Sequence, residues 1–162
     1  IVAGIHGGYE WNTVSLADQL IKALKDEKII VPEDKKLFIL RVLNPDGYER
    51  DRGPDGRANA NNVDLNRNWD ANWQANWNGV HCWNYRVVSA GTEAMSEPET
   101  KALAQFIEKS QIKALISYHS AALGIFSGGW PTDKASINLA NLLAPVSPYS
   151  YPPIATDCVY TG

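Results

Sequence analysis

Cysteine is scarce in this 162-residue chain, with only Cys82 and Cys158 present. Two cysteines allow at most one disulfide, and neither lies in a Cys-x-x-Cys pair, which argues against a thiolate metal site. Whether they pair is left open: free buried thiols and a disulfide in an extracellular setting both fit. Excess charge of one sign is also lacking. Lys and Arg total 15 against 18 Asp and Glu, a net charge of −3, so nothing electrostatic favours nucleic acid or an anionic membrane as partner. No apolar run approaches the roughly 20 residues needed to span a bilayer. A signal peptide and an initiator Met are missing from the opening Ile1-Val2-Ala3-Gly4-Ile5, and no polar tail follows Val159-Tyr160-Thr161-Gly162. Such abrupt ends are expected of a single domain, residues 1–162, cut from a longer sequence.

A composition of 44% hydrophobic and 20% charged residues suits a globular domain with a substantial core. Residues 1–5 are short, apolar and ended by Gly7-Gly8, the pattern of a buried strand. Val14, Ala17, Leu20, Ile21 and Leu24 recur at helical spacing within residues 13–28. A second strand is predicted over residues 37–43, ended by the turn signal Asn44-Pro45-Asp46-Gly47. Residues 44–95 form a long polar stretch rich in Asn, Gly, Asp and Trp, read as an ordered functional loop. Ser96-Glu97-Pro98-Glu99 reads as a capping box opening a helix to about Ser110, with Leu103, Phe106 and Ile107 towards the core. A third strand over residues 114–118 delivers His119, and a last helix follows Pro131 through Ile137, Leu139, Leu142 and Leu143. Helices between short apolar strands predict an α/β fold, a central sheet flanked by helices. Ligands in such folds bind beyond the carboxyl ends of the strands, where His6, Asn44 and His119 fall.

Three clusters could carry chemistry. In His6-Gly7-Gly8-Tyr9-Glu10 a tight glycine turn could bring an imidazole and a carboxylate onto one metal ion. Alone, the pair would read as a turn His and a surface Glu; His119 at another strand end favours the metal. In the run from Arg57 to Trp69, Arg67 beside Asn66 could hold a substrate carboxylate, because a planar guanidinium matches two carboxylate oxygens. A separate Arg57 could stabilise a developing oxyanion. A solvated, turn-rich loop with an ordinary salt bridge is the plainer alternative for that run.

Together these segments resemble the zinc carboxypeptidase family: a strand, a His…Glu pair, Asn-Pro-Asp-Gly, an Arg, Asp-x-Asn-Arg-Asn at Asp64–Asn68, and a later strand ending in His-Ser. The resemblance covers Ile1 to about Ser120, and more loosely beyond. It implies a carboxypeptidase-like three-layer sandwich around a mixed sheet, incomplete at both ends. It implies one zinc ion held by His6, Glu10 and His119, and Asp64 as the carboxylate that orients a ligating His. Arg57, rather than its rival Arg52, takes the oxyanion role, and Asn66 with Arg67 clamps the terminal carboxylate. Three residues separate His6 from Glu10 where the family has two, a difference that a bulge among the glycines could absorb. The family's general-base Glu lies on a late strand with no counterpart here, since no Glu follows His119; Tyr160 does not match the family's substrate-closing tyrosine in spacing.

The resemblance therefore implies zinc-dependent removal of the C-terminal residue of peptides, with this fragment itself inactive. Its partner would be a peptide or small acylated amino acid with a free carboxylate. A secreted or extracellular location is favoured by the resemblance. The rivals are a zinc deacylase of the aspartoacylase type and a non-catalytic module that keeps the carboxylate clamp. Side-chain preference and oligomeric state are not legible in the sequence.

Overall fold

A computed structural model describes residues 1–77, 89–120, 124–128 and 133–153. Cys82, Cys158, Pro131 and Tyr160 lie outside the described residues. Three segments run side by side in parallel, with residues 1–5 in the middle. Val2 bridges to Leu40 on one side and to Ser117 on the other. Ala3 N donates to Leu40 O at 2.9 Å and Leu43 N to Ala3 O at 3.0 Å, while Val2 N donates to Ile116 O and Tyr118 N to Val2 O. The three predicted strands thus lie in register, but among the described residues their pairing amounts to isolated bridges rather than full strands.

Helix α1, Trp11–Lys25, buries Thr13, Val14 and Ala17 and places Lys22 and Lys25 in its last turn, where a cation suits the helix dipole. It starts two residues before the predicted start and ends three before the predicted end. Asn44-Pro45-Asp46-Gly47 is not a simple turn: it opens α2, Pro45–Arg50. Pro occupies the first helical position, where its missing N–H costs nothing, and the Asn44 side chain accepts from Gly47 N at 2.9 Å. Helix α3, Pro98–Lys109, matches the predicted span, but the capping box does not form. Ser96 Oγ donates instead to the Glu97 carboxylate at 2.7 Å and receives Asn68 Nδ2 at 2.9 Å. Leu103 reaches the core and Ile107 packs partly against it, but Phe106 is turned outward onto Phe38, ring centroids 5.2 Å apart. In α4, Lys134–Leu143, the buried position is Ala140, and Leu142 is exposed.

The core gathers Val2, Ile5, Leu43, Leu65 and Leu103, with Trp69 and Ile107 against it. It draws Val2, Ile5 and Leu43 from two of the three parallel segments. The long polar stretch is pinned by Asn68, fully buried in the Asp-Leu-Asn-Arg-Asn run. Its Nδ2 donates to Ala90 O, Glu93 O and Ser96 Oγ, and its Oδ1 accepts from Glu97 N and Thr100 Oγ1. Replacing Asn68 with Ala leaves several of these buried groups unsatisfied, each worth about 1–3 kcal/mol. Asn68→Ala should therefore lower the unfolding free energy by about 2–4 kcal/mol in urea titration; a loss below ~0.5 kcal/mol would show that water replaces the amide without cost.

Candidate metal centre

His6, Asn44 and His119 stand at the ends of the three parallel segments. Between His6 and α1 the chain makes consecutive tight turns: Gly7 N to Gly4 O, Tyr9 N to His6 O and Trp11 N to Gly8 O. Gly7 adopts φ +48°, and a Cβ there would lie 2.6 Å from Gly56 O and 2.7 Å from Tyr48 N. Glycine is therefore required both by backbone conformation and by the close approach of two other loops. These turns absorb the three-residue spacing, as a glycine turn rather than a strand bulge. They leave Glu10 as the N-cap of α1 with its carboxylate turned away from the helix, making no capping bond. A capping bond is typically worth ~1 kcal/mol, forgone here in favour of the site.

The Glu10 carboxylate instead spans two histidines. His6 Nδ1 lies 2.6 Å from Oε1, and His119 Nδ1 lies 3.3 Å from Oε2, which also accepts from Ser120 N at 3.1 Å. The imidazole centroids are 5.0 Å apart. His6 and Glu10 are buried, so the surface-Glu alternative does not hold, and His119 is partly open. One donor atom from each of His6, Glu10 and His119 lies within 4.8 Å of the others. Tetrahedral zinc with bonds of about 2.1 Å needs donors about 3.4 Å apart, so small side-chain adjustments suffice.

The chemistry of the donor set fits a cation. Arg57 Nη1, an obligate donor, faces His6 Nδ1 at 3.1 Å, which calls for a lone pair on that nitrogen. The same Nδ1 sits against a carboxylate oxygen, so two electron-rich atoms converge on one space. The other ring nitrogen, Nε2, is buried and faces Asp64 Oδ1 at 3.2 Å, without the alignment of a full hydrogen bond. A carboxylate behind the ring would keep the proton on Nε2 and free Nδ1 for a metal.

Asp64 is shared by several groups. Its Oδ2 accepts from Arg57 Nε at 2.7 Å, and its Oδ1 accepts from Asn66 N at 2.9 Å as the cap of the 3-10 turn Leu65–Arg67. Burial alone would raise its pKa, but Arg57, His6 and Arg67 hold it well below the ordinary carboxylate range. Glu10 behaves similarly: burial pushes it up, while His6 and His119 outweigh burial and bring it to about 2.

Arg57 is buried with its guanidinium 3.8 Å from Glu10 Oε1 and 5.8 Å from the Tyr9 ring centre. Arg52, its sequence rival, stacks on Tyr48 at 3.9 Å and donates to Tyr48 O, outside this cluster. Arg67 is buried, donates to Asn66 O at 2.7 Å and stacks 4.9 Å from the Trp77 ring. Burial pushes its pKa down, with Asp64 opposing. Asn66 is half-buried beside it.

Sequence reasoning placed Asn44 at a strand end without giving it a role, and it did not single out Asn59. Asn44 donates to Arg57 O at 3.1 Å, and Asn59 Oδ1 accepts from Asn61 N and Val63 N. The usable signals were Asn before Pro, and an Asn-rich run too dense to be solvated loop alone.

The chain belongs to the zinc carboxypeptidase family, whose sequence model matches residues 1–150. Its members are zinc-dependent peptidase-type hydrolases, and the family's metal is a single zinc ion. Murein peptide amidase A of Escherichia coli K12 is 35% identical over 125 residues, covering 74% of this chain and 47% of that protein. Human carboxypeptidase O is 32% identical over 152 residues, covering 82% of this chain and 40% of that protein. The crystal structure of carboxypeptidase A from Helicoverpa armigera superposes with a TM-score of 0.61 at 25% identity, over 89% of this chain and 40% of that one. This chain therefore spans less than half the length of these relatives, within a carboxypeptidase-type α/β fold.

In the metal-free protein the depressed Glu10 pKa makes a signed prediction. Stability contributed by its carboxylate is complete above the unfolded value near 4.5 and is lost as pH falls through the folded value of about 2. The stability difference between wild type and Glu10→Gln should therefore shrink on acidification from about pH 4.5 to about pH 2. A difference constant across that window in denaturant titrations would mean that the histidines do not stabilise the charged form.

Proposed function

We propose that this chain is the metal-bearing part of a carboxypeptidase that hydrolyses the last peptide bond of a peptide. His6, Glu10 and His119 hold its zinc, and residues 1–162 belong to one domain built on a mixed sheet between helical layers. The observation that carries this reading is the convergence of His6, Glu10 and His119 within 4.8 Å, with the buried Arg57 guanidinium against the same ring nitrogen.

When bound, zinc supplies a Lewis acid for the scissile carbonyl and lowers the pKa of water towards about 7. The remaining work falls to side chains. Arg57 places a fixed positive charge where the carbonyl oxygen becomes negative, and Asp64 holds that guanidinium from behind. Asn66 and Arg67 receive the substrate's terminal carboxylate, Arg67 braced by the Trp77 face. The resemblance assigns proton transfer to a Glu that has no counterpart after His119 in residues 1–162. Glu97 and Glu99 are poorly suited to that role, because their carboxylates are already engaged by Asn59, and Glu97 also by Asn61 and Ser96. Residues 1–162 alone would then bind zinc and turn over poorly, since general acid–base catalysis is typically worth about 10²–10⁴-fold. A second reading, action on murein peptides, is favoured by the 35% identity to murein peptide amidase A.

Two measurements test the proposal. Zinc content of His119→Ala and Glu10→Ala, purified alongside wild type, should fall well below one ion per chain; full retention in either variant removes that residue from the site. In the full-length gene product, Arg67→Ala should raise KM for free-acid peptides by about 10-fold or more while barely changing C-terminally amidated ones. Equal losses on both substrates would make Arg67 structural, and preference for murein peptides over ordinary peptides would select the second reading.

A further inference from the structure

Helix α2 lies against the loop that carries Arg57, and its two ends grip that loop differently. At the N-terminal end Asn44, fully buried, donates to Arg57 O at 3.1 Å. At the C-terminal end the guanidinium of Arg50 donates to three backbone carbonyls: Asp55 O at 3.3 Å, Ala58 O at 3.2 Å and Asn59 O at 2.9 Å. Four of the five carbonyls from residue 55 to 59 are thus held by α2. The fifth, Gly56 O, faces the glycine packing, where a Cβ on Gly47 would collide with it. The loop between has little regular structure of its own beyond the 3-10 turn Pro54–Gly56.

We propose that Arg50 is a positioning residue for Arg57: its fork fixes the backbone on both sides of residue 57, so that the Arg57 side chain meets His6 and Asp64 in one geometry. This rests on the carboxypeptidase reading for the role of Arg57, though not for the contacts themselves. A planar fork with five N–H groups can serve three carbonyls at once, whereas a lysine ammonium is a point donor that cannot span them. Arg50 is itself solvent-exposed, so its removal opens no cavity and the fold should survive. What is lost is registry. A shift of about 1 Å in a transition-state-stabilising group can cost about 10²-fold in rate.

The test uses the full-length gene product as wild type, Arg50→Lys, Arg50→Met and Arg57→Ala. Two readouts are taken: amide hydrogen exchange across residues 55–59, and kcat and KM on a free-acid peptide with zinc content matched. Arg50→Met should speed exchange in that segment by about tenfold or more. It should lower kcat by about 10–100-fold with KM within about threefold, because the disturbed contact matters chiefly in the transition state. Arg50→Lys should fall between wild type and Met in both readouts, at unchanged zinc content. Unchanged exchange in Arg50→Met would overturn the proposal whatever the activity. Faster exchange with wild-type kcat, while Arg57→Ala loses activity, would overturn it too and leave the peptidase reading standing. A wild-type protein inert on every peptide would instead sink the peptidase reading, and exchange alone would then decide whether Arg50 fixes the loop.

Discussion

The buried contact between Asp64 and Arg57 is the interaction on which the candidate site depends. A single carboxylate there faces His6, accepts from Arg57 Nε and caps the turn that presents Asn66 and Arg67. His6, Arg57 and the turn that carries Asn66 and Arg67 therefore share one anchor. Removing one partner from a buried charged pair typically costs about 3–5 kcal/mol, because the other charge is left uncompensated. Here the loss would also release His6, Arg57 and the Leu65–Arg67 turn at once.

The anchor works because backbone meets backbone around it. The His6–Glu10 turn, helix α2 and the Arg57 loop converge at glycines, where side chains would hold the segments apart. A Cβ on Gly8 or Gly56 would collide with Asp51 O, as one on Gly7 would with Gly56 O. Parallel pairing of residues 1–5 with the segments around Leu40 and Ser117 brings the turn and His119 to the same end. The parallel bridges contribute placement, the glycines contribute proximity, and the charges contribute orientation.

Much of this was legible in the sequence because the informative signals are local. Apolar runs ended by Gly7-Gly8 and by Asn44-Pro45 marked where parallel segments stop, and His6 and His119 fell just past such ends. Asp64, Asn66 and Arg67 were legible as a motif, since their spacing encodes one cap and one short turn. What sequence did not reveal was tertiary. Glu10 was in question by spacing alone, and only the folded turn shows its carboxylate between two histidines. The Ser96 capping box failed because Asn68, 28 residues earlier, claims the Ser96 hydroxyl as acceptor, and that hydroxyl donates to Glu97. Phe106 had helical periodicity for the core, yet it pairs with Phe38 at the surface. Arg50 gave no periodic or motif signal, because its partners are backbone carbonyls that carry no sequence signature.

The claim that Asp64 anchors the centre is tested most directly by the zinc dissociation constant of Asp64→Asn. Asparagine keeps the shape and can still accept from Asn66 N, but it removes the charge facing His6 and Arg57. Loss of a carboxylate behind a ligating histidine typically costs about 10–100-fold in metal affinity. Competition with a chelator, on protein with unchanged near-UV circular dichroism, should show zinc binding weakened by that factor. A dissociation constant equal to that of the wild type would contradict the account, and the metal centre would then stand independently of Asp64.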